Sequence, residues 1–565
     1  MAPVKVNPRD LEPLLLKNLM DRGPYLQPDN LIVTKTATGY HQITMDEHLR
    51  KSKRLGSALA RWGVQISDTV GTLMWNSGYH LHCYHGVTCM GAILHTLNLR
   101  LGPKDLGYTI EHAEDRVIIV DFDLLKLLDL VDDAIMARIE LILVVGEDYV
   151  PGKWQAPSKL AAKCKDFEAF VASGAEDFVW PELPETATHA LCYTSGTTGN
   201  PKGVAYSHRS TFLHTLSVAA ADSLGIRGCD VVLPFVPMFH VLSWGIPFAV
   251  LMLGARTVFS GRFMDPGSVL QCFADWKVGI STGVPTVWQG VRAAIEAKGV
   301  DKVKPTLALK VLTCGGSAPP AEMIVWYLKN LGVEFIQGWG MTETNPLGSL
   351  GRRVAKFSDL SKSDEELNAN MAKAGLVMPG LQVRIANQED LAKDQPADEP
   401  GELLIKGPWI IQEYLKNPAA DKFHNGWLIT GDIAKLDKEG AIVICDRSKD
   451  VVKSGGEWIS SIDMENMVAS LADVQMAAVV AVPHPKWDER PVVVVVLNPG
   501  ASADGLFDKV RQHLSSSFAK FQLPDEVLVW AEMPMTSTGK LDKKSIRDLL
   551  NKEGYVLPDL RKSKL

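Results

Sequence analysis

Residues 193–204 read Tyr193-Thr194-Ser195-Gly196-Thr197-Thr198-Gly199-Asn200-Pro201-Lys202-Gly203-Val204 and follow an apolar, strand-like run at 190–193. Hydroxyls and glycines dominate the stretch. Glycine lets consecutive backbone N–H groups converge on an anion with no Cβ in the way; Ser and Thr add donors, and Lys202 adds a positive charge. The chemistry is that of a phosphate cradle. It is not a Walker A loop, because Lys202 is followed by Gly203 rather than Ser or Thr and the Gly-to-Lys spacing differs. On these residues alone, a plain flexible turn remains the alternative.

Outward from this loop, short β-branched runs alternate with longer helical patterns, which predicts an α/β chain with largely parallel sheets. Strands are expected at 117–120, 141–145, 231–233 and 309–312. Apolar residues at 212, 213, 216 and 219 recur with helical spacing, predicting a helix over 210–224 that Gly225 stops. Near 446 a Gly-rich, aromatic segment gives way to Asp446-Arg447-Ser448-Lys449-Asp450. We therefore expect a large N-terminal domain of layered sheets and helices (1–446), a hinge (447–450) and a small mobile C-terminal α/β domain (451–565). In the last of these, strands are expected at 476–482 and 491–497 and a helix at 506–518. Finer borders within the large domain are expected near 190 and 345.

Composition narrows the class. With 565 residues, 46% hydrophobic and 22% charged, the chain is too long for one core and too apolar for disorder. The net charge of −7 is spread along the chain, and there is no basic stripe of the kind a nucleic-acid binder needs. The eight cysteines are scattered without a CxxC pair, which argues against a disulfide framework or a thiolate zinc site and fits a reducing compartment. No apolar run reaches the length of a bilayer span, and residues 1–10 lack a signal-peptide layout. Ser563-Lys564-Leu565 matches the address read by the peroxisomal import receptor, so the peroxisomal matrix is the expected location.

With residues 193–204, several further segments together resemble the adenylate-forming superfamily of acyl-CoA synthetases, 4-coumarate ligases, beetle luciferases and peptide-synthetase adenylation domains. The resemblance covers roughly residues 40–550 and implies ATP, Mg²⁺ and CoA as cofactor and substrates. It assigns Thr194, Ser195, Gly196, Thr197, Thr198, Gly199 and Lys202 to the phosphate loop. Gly315, Gly316 and Ser317, with Gln337, Gly338 and Trp339, correspond to the adenine and α-phosphate site, Trp339 standing where Tyr is more usual. Thr342 is implied to bind the α-phosphate and Glu343 to coordinate Mg²⁺, a hard cation suited to oxygen. Asp432 and Arg447 match the ribose contacts, Lys449 the hinge, and Lys453, Gly455 and Gly456 the loop lining the pantetheine tunnel. Lys540, in Pro534-Met535-Thr536-Ser537-Thr538-Gly539-Lys540-Leu541, matches the mobile catalytic lysine. Its implied task is electrostatic, since a carboxylate needs no base to attack phosphorus.

For the acid, Val236-Pro237-Met238-Phe239-His240-Val241-Leu242-Ser243-Trp244-Gly245 and Gly283-Val284-Pro285-Thr286-Val287-Trp288 resemble medium- and long-chain fatty acyl-CoA synthetases. There Trp244 would gate an apolar acyl tunnel, with Val, Leu, Phe and Trp at its rim, and His240 would lie beside the carboxylate. Read without the resemblance, His240 could equally be a bonded core histidine and Trp244 ordinary packing. No Asp matches the amino-group anchor of amino-acid-activating domains, and no carrier domain follows residue 550, so free CoA is the expected acceptor. A fatty carboxylic acid is thus the expected substrate. A short, thioether or aryl acid and a luciferase-like oxidation are the rivals, and the resemblance adds a modest expectation of a homodimer.

Overall fold

The computed structural model describes residues 12–194, 200–352, 363, 371, 373–455, 457–536 and 540–557. Ser195 to Gly199, Gly456 and the terminal Ser563-Lys564-Leu565 lie outside the described residues.

Two large sheets form the body. In the seven-stranded one the order is Cys164–Asp166, Leu141–Val145, Asp115–Asp121, Thr69–Leu73, Ile93–Thr96, Thr188–Tyr193, Gly203–Ser207. All its neighbours are parallel except the last pair. The nine-stranded sheet has a parallel centre: Glu334–Gly340, Val311–Cys314, Ile280–Gly283, Val231–Pro234, Arg256–Phe259 and Leu31–Lys35. Parallel strands buried on both faces require continuous apolar runs, and Leu141–Val145 supplies one in which all five residues are buried. Helix Gly78–Cys89 lies between the sheets with all twelve residues buried, as its lack of an amphipathic face demands. Just before it, Asn76 donates to the carbonyls of Pro234 and Val236 and accepts from Met238 N. One buried amide thereby ties the first sheet to the segment that leads to His240.

Two smaller sheets complete the chain. Gln382–Ala386, Gly401–Lys406, Trp427–Leu436, Phe423–His424 and Ile442–Arg447 pair antiparallel. Glu457–Ile459, Val452–Ser454, Asp488–Leu497, Val474–His484 and Glu526–Val529 make the last sheet, parallel only at its final pair. The α/β expectation holds, whereas "largely parallel" describes only the two large sheets. Among the described residues no helix is long and apolar enough to cross a membrane, and all eight cysteines are free.

Several boundaries differ from expectation. The helix expected over 210–224 runs His208–Ala219. A reciprocal Ser207–Ser210 capping box starts it early, and extended backbone at Ala220 ends it. Gly225, at φ +61°, closes the following turn instead. The strand expected at 309–312 is Val311–Cys314, since Leu309 and Lys310 belong to the approach. The helix expected at 506–518 stops at Leu514. The border expected near 190 gives way to a sheet that closes at Ser207, because Gly203–Ser207 pairs back on Thr188–Tyr193. The one expected near 345 falls within the nine-stranded sheet, which continues to Val377.

Candidate active site

The expected site residues follow the C-terminal ends of parallel strands, where open α/β sheets leave a crevice for ligands. Thr188–Tyr193 delivers Thr194, Val311–Cys314 delivers Gly315, Gly316 and Ser317, Glu334–Gly340 delivers Thr342 and Glu343, and Val231–Pro234 leads to His240 and Trp244. Gln337, Gly338 and Trp339 lie within the strand Glu334–Gly340 itself.

The ends of the phosphate loop are drawn together: Thr194 N donates to Lys202 O at 3.0 Å. Lys202 Nζ lies 4.9 Å from the Tyr414 ring centre, and the Tyr414 hydroxyl donates to Glu343 Oε1 at 2.6 Å. Backbone contacts fix this corner further, with Tyr206 Oη donating to Thr342 O and Ile411 N donating to Glu343 O. Tyr414 had no marker in the sequence, being an isolated tyrosine in a loop.

Asp432 sits in the third sheet, paired across the ladder with Arg447. Its Oδ1 is 2.7 Å from Arg447 Nε, and its Oδ2 accepts from Trp339 Nε1 at 2.8 Å. Beneath it, Thr430 Oγ1 accepts from Asp432 N, and Glu402 accepts from Gly431 N and the Ser448 hydroxyl. Asp432 beside Arg447 holds the guanidinium pKa above its ordinary value, against the cost of burial. Trp339 is nearly buried and abuts Gly348. Its N–H is therefore already committed to Asp432, a bond the usual Tyr would make differently or not at all.

Lys540 reaches this cluster from the far end of the chain. Its hairpin is closed by Thr536 N donating to Lys540 O and Lys540 N donating to Thr536 Oγ1. Gly316, at φ +89°, holds a backbone conformation that favours glycine, and a Cβ added there would stand 3.0 Å from Lys540 Cε. Desolvation and then Arg447 push the ammonium down to about 8, with Asp432 and Glu343 opposing. Four charged groups, Asp432 and Arg447 from one sheet, Glu343 from another and Lys540 from a hairpin, thus interact with one another.

On the other side, Val241, Leu242, Ser243, Trp244 and Gly245 all take positive φ, from +35° to +75°. Left-handed backbone costs an L-residue roughly 1–2 kcal/mol, so this turn persists only because its surroundings hold it. Ser243 N bonds His240 O, and Ser243 Oγ bonds Val236 O. Trp244 is buried against Gly315, where a Cβ would come within 2.6 Å of its Cη2. Burial, then Lys540 and Arg100, push the His240 imidazole down to about 3, so it is neutral. Trp288 is not on a rim. It is fully buried, donates to Thr313 O, and its carbonyl accepts from Tyr327, which makes it core.

Lys449 is exposed on the link after Arg447, while Lys453 and Gly455 lie on the hairpin of the last sheet. Lys453 N donates to Glu489 of that sheet and Gly455 N to the carbonyl of Trp487 in the turn before it, not to the cluster around Gly316.

Residues 21–415 match the family described as AMP-binding enzyme, and residues 463–540 match the AMP-binding enzyme C-terminal domain. The chain is 38% identical to a long-chain-fatty-acid–CoA ligase of Thermus thermophilus over 95% of its own length and 96% of the relative's. It is 36% identical to a 3-methylmercaptopropionyl-CoA ligase of Ruegeria pomeroyi, covering 95% and 97%, and 29% identical to a peroxisomal trans-cinnamate:CoA ligase of Petunia hybrida, covering 91% and 90%. Among solved structures, an anthranilate CoA ligase in complex with anthranoyl-AMP aligns with a TM-score of 0.83 at 23% identity, covering 97% of this chain and all of that one. At that identity the likeness speaks for the fold alone.

Proposed function

Since the chain belongs to the AMP-binding enzyme family and is an acid–thiol ligase, we propose that its acid is a medium- to long-chain fatty acid, activated as an acyl-adenylate and passed to CoA. The observation that carries this reading is the apolar turn 241–245, with Trp244 seated on Gly315, placed directly beside the Lys540–Gly316 cluster. An aliphatic chain gains from such a wall by leaving water, while its carboxylate meets cationic charge.

In this reading the carboxylate attacks the α-phosphorus of ATP held by the 194–203 loop. Lys540 and Arg447 offset charge at the reacting centre, Thr342 binds the α-phosphate, Asp432 takes the ribose hydroxyls and Trp339 flanks adenine. Glu343 fits Mg²⁺: one carboxylate oxygen is bonded to Tyr414, which leaves the other to face a cation. Among the described residues no cluster of three metal-binding side chains exists, which suits an ion completing its shell with phosphates and water. When bound, Mg²⁺ would neutralise phosphate charge. For the second step the 451–565 unit turns about Lys449, withdrawing Lys540 and presenting Lys453, Gly455 and Gly456 to CoA. His240 stays beside the acyl carbonyl.

The thioether and aryl relatives keep a shorter or aromatic acid as the second reading. All the named relatives are CoA ligases, so the oxidative rival gains no support. A peroxisomal location is proposed from the Ser563-Lys564-Leu565 tripeptide and from the petunia relative, a peroxisomal ligase; fluorescence of the tagged chain with and without that tripeptide checks it. A homodimer is likewise proposed, and light scattering checks it. The acid is tested by CoA-dependent AMP formation across acetate to palmitate, 3-methylthiopropionate and coumarate. A maximum at medium or long chains with stoichiometric thioester is expected; a maximum at either of the last two would hand the site to the second reading.

A further inference from the structure

Beside Thr194 and Pro201 lies a small cavity lined also by His95, Thr96, Tyr193, Phe239 and His240, among others. Its free volume of about 10 Å³ is room for one water. His95 is one half of a buried pair: its Nδ1 lies 2.9 Å from Asp115 Oδ2 and 3.1 Å from Oδ1, and both side chains are almost wholly shielded from solvent. The pair spans the intervening strand Thr69–Leu73 at Gly71, where a Cβ would sit 3.1 Å from Asp115 Oδ2. With Nδ1–H given to the carboxylate, His95 Nε2 is left as an acceptor, and among the described residues nothing hydrogen-bonds it. No role read from the sequence uses either residue.

We infer that His95 and Asp115 form a proton relay for thioester formation, reached from His240 through the cavity the two histidines share. The inference rests on the ligase reading above. As the CoA sulfur attacks the acyl carbonyl, a C–S bond forms, the C–O bond to AMP breaks, and its electron pair leaves on the AMP phosphate. The thiol proton passes to His240, through one water in the cavity, to His95 Nε2, and Asp115 offsets the imidazolium charge. His240 faces Lys540 and Arg100. His95 faces Asp115 from its own sheet and the Tyr193 ring at 5.0 Å; Tyr193 bonds His112, which also feels His95 electrostatically. While Lys540 is present its charge adds to burial in opposing protonation of His240, and its withdrawal favours the relay.

The test measures each half-reaction separately in the full-length enzyme. Asp115→Asn keeps the shape but reverses the bond to Nδ1, which moves the His95 proton to Nε2 and blocks acceptance; His95→Gln removes the relay. For both, ATP–pyrophosphate exchange should stay within about twofold of the unaltered enzyme. The thioester step from supplied acyl-AMP should fall about tenfold or more, with its pH–rate profile moved to higher pH. Equal loss of both halves, or a thioester step with unaltered rate and pH profile, overturns the relay. In the unaltered enzyme a solvent deuterium effect confined to the thioester step is expected, and its absence also counts against the relay. Failure of the ligase reading looks different, because then the unaltered enzyme forms no thioester.

Discussion

Around Asp432 the site is built from charge and donors: Arg447 on one oxygen, Trp339 on the other, and Thr430 and Glu402 below. Around Trp244 it is built from shape: a left-handed turn of four non-glycine residues, an indole seated on Gly315, and a neutral His240. The first side is prearranged to receive an anionic nucleotide without reorganising, whereas the second offers an apolar wall whose form is set by strained backbone. The difference predicts that the two sides fail separately, with nucleotide defects from one and acid-selectivity defects from the other.

The largest effect should come from Lys540→Ala. Removing one preorganised charge should lower adenylation by about 100- to 1,000-fold, while thioester formation from supplied acyl-AMP stays within a few-fold; rapid-quench measurement of both steps checks this. Equal losses would erase the distinction between the two tasks. Next, Asp432→Asn should raise KM for ATP about tenfold or more, the scale of a lost charged hydrogen bond, without altering the ranking of acids. A changed ranking would show that the two sides are coupled.

Gly315→Ala should do the reverse, because the new methyl lands on the Trp244 ring and displaces it. The chain-length optimum, read from kcat/KM across the acid series, should shift by several carbons. The smallest effect lies outside the site, in the core histidines. His48 and His82 stack at 4.7 Å, and neither His82 nitrogen has a hydrogen bond among the described residues. Burial holds both well below the ordinary imidazole value, so their contribution to stability is complete above about pH 6.5 and lost as pH falls further. Tm should therefore drop between pH 6.5 and 5, and His82→Phe should flatten that drop by a few degrees.

The sequence was legible where physics is local. Leu141–Val145 is an apolar run that only a doubly covered strand accommodates. It was illegible where long-range contact decides. Nothing in residues 241–244 marks a left-handed turn, since three of the four are bulky apolar residues that avoid it, and only tertiary bonds such as Ser243 to Val236 hold it. Trp288 looked like a tunnel wall by its neighbours' resemblance, but the carbonyl of Thr313 claims its N–H. Helix His208–Ala219 ended early because Ala220 goes extended, which apolar periodicity does not register. Tyr414, 71 residues from Glu343, and Asp115, across a strand from His95, form pairs that no spacing rule encodes.

The account stands on the carboxylate attacking the α-phosphorus beside Lys540. Labelling both carboxyl oxygens of palmitate with ¹⁸O and analysing one turnover by mass spectrometry tests that step most directly. The account predicts one ¹⁸O in AMP and none in pyrophosphate. Label in pyrophosphate or inorganic phosphate, or AMP without label, would contradict it.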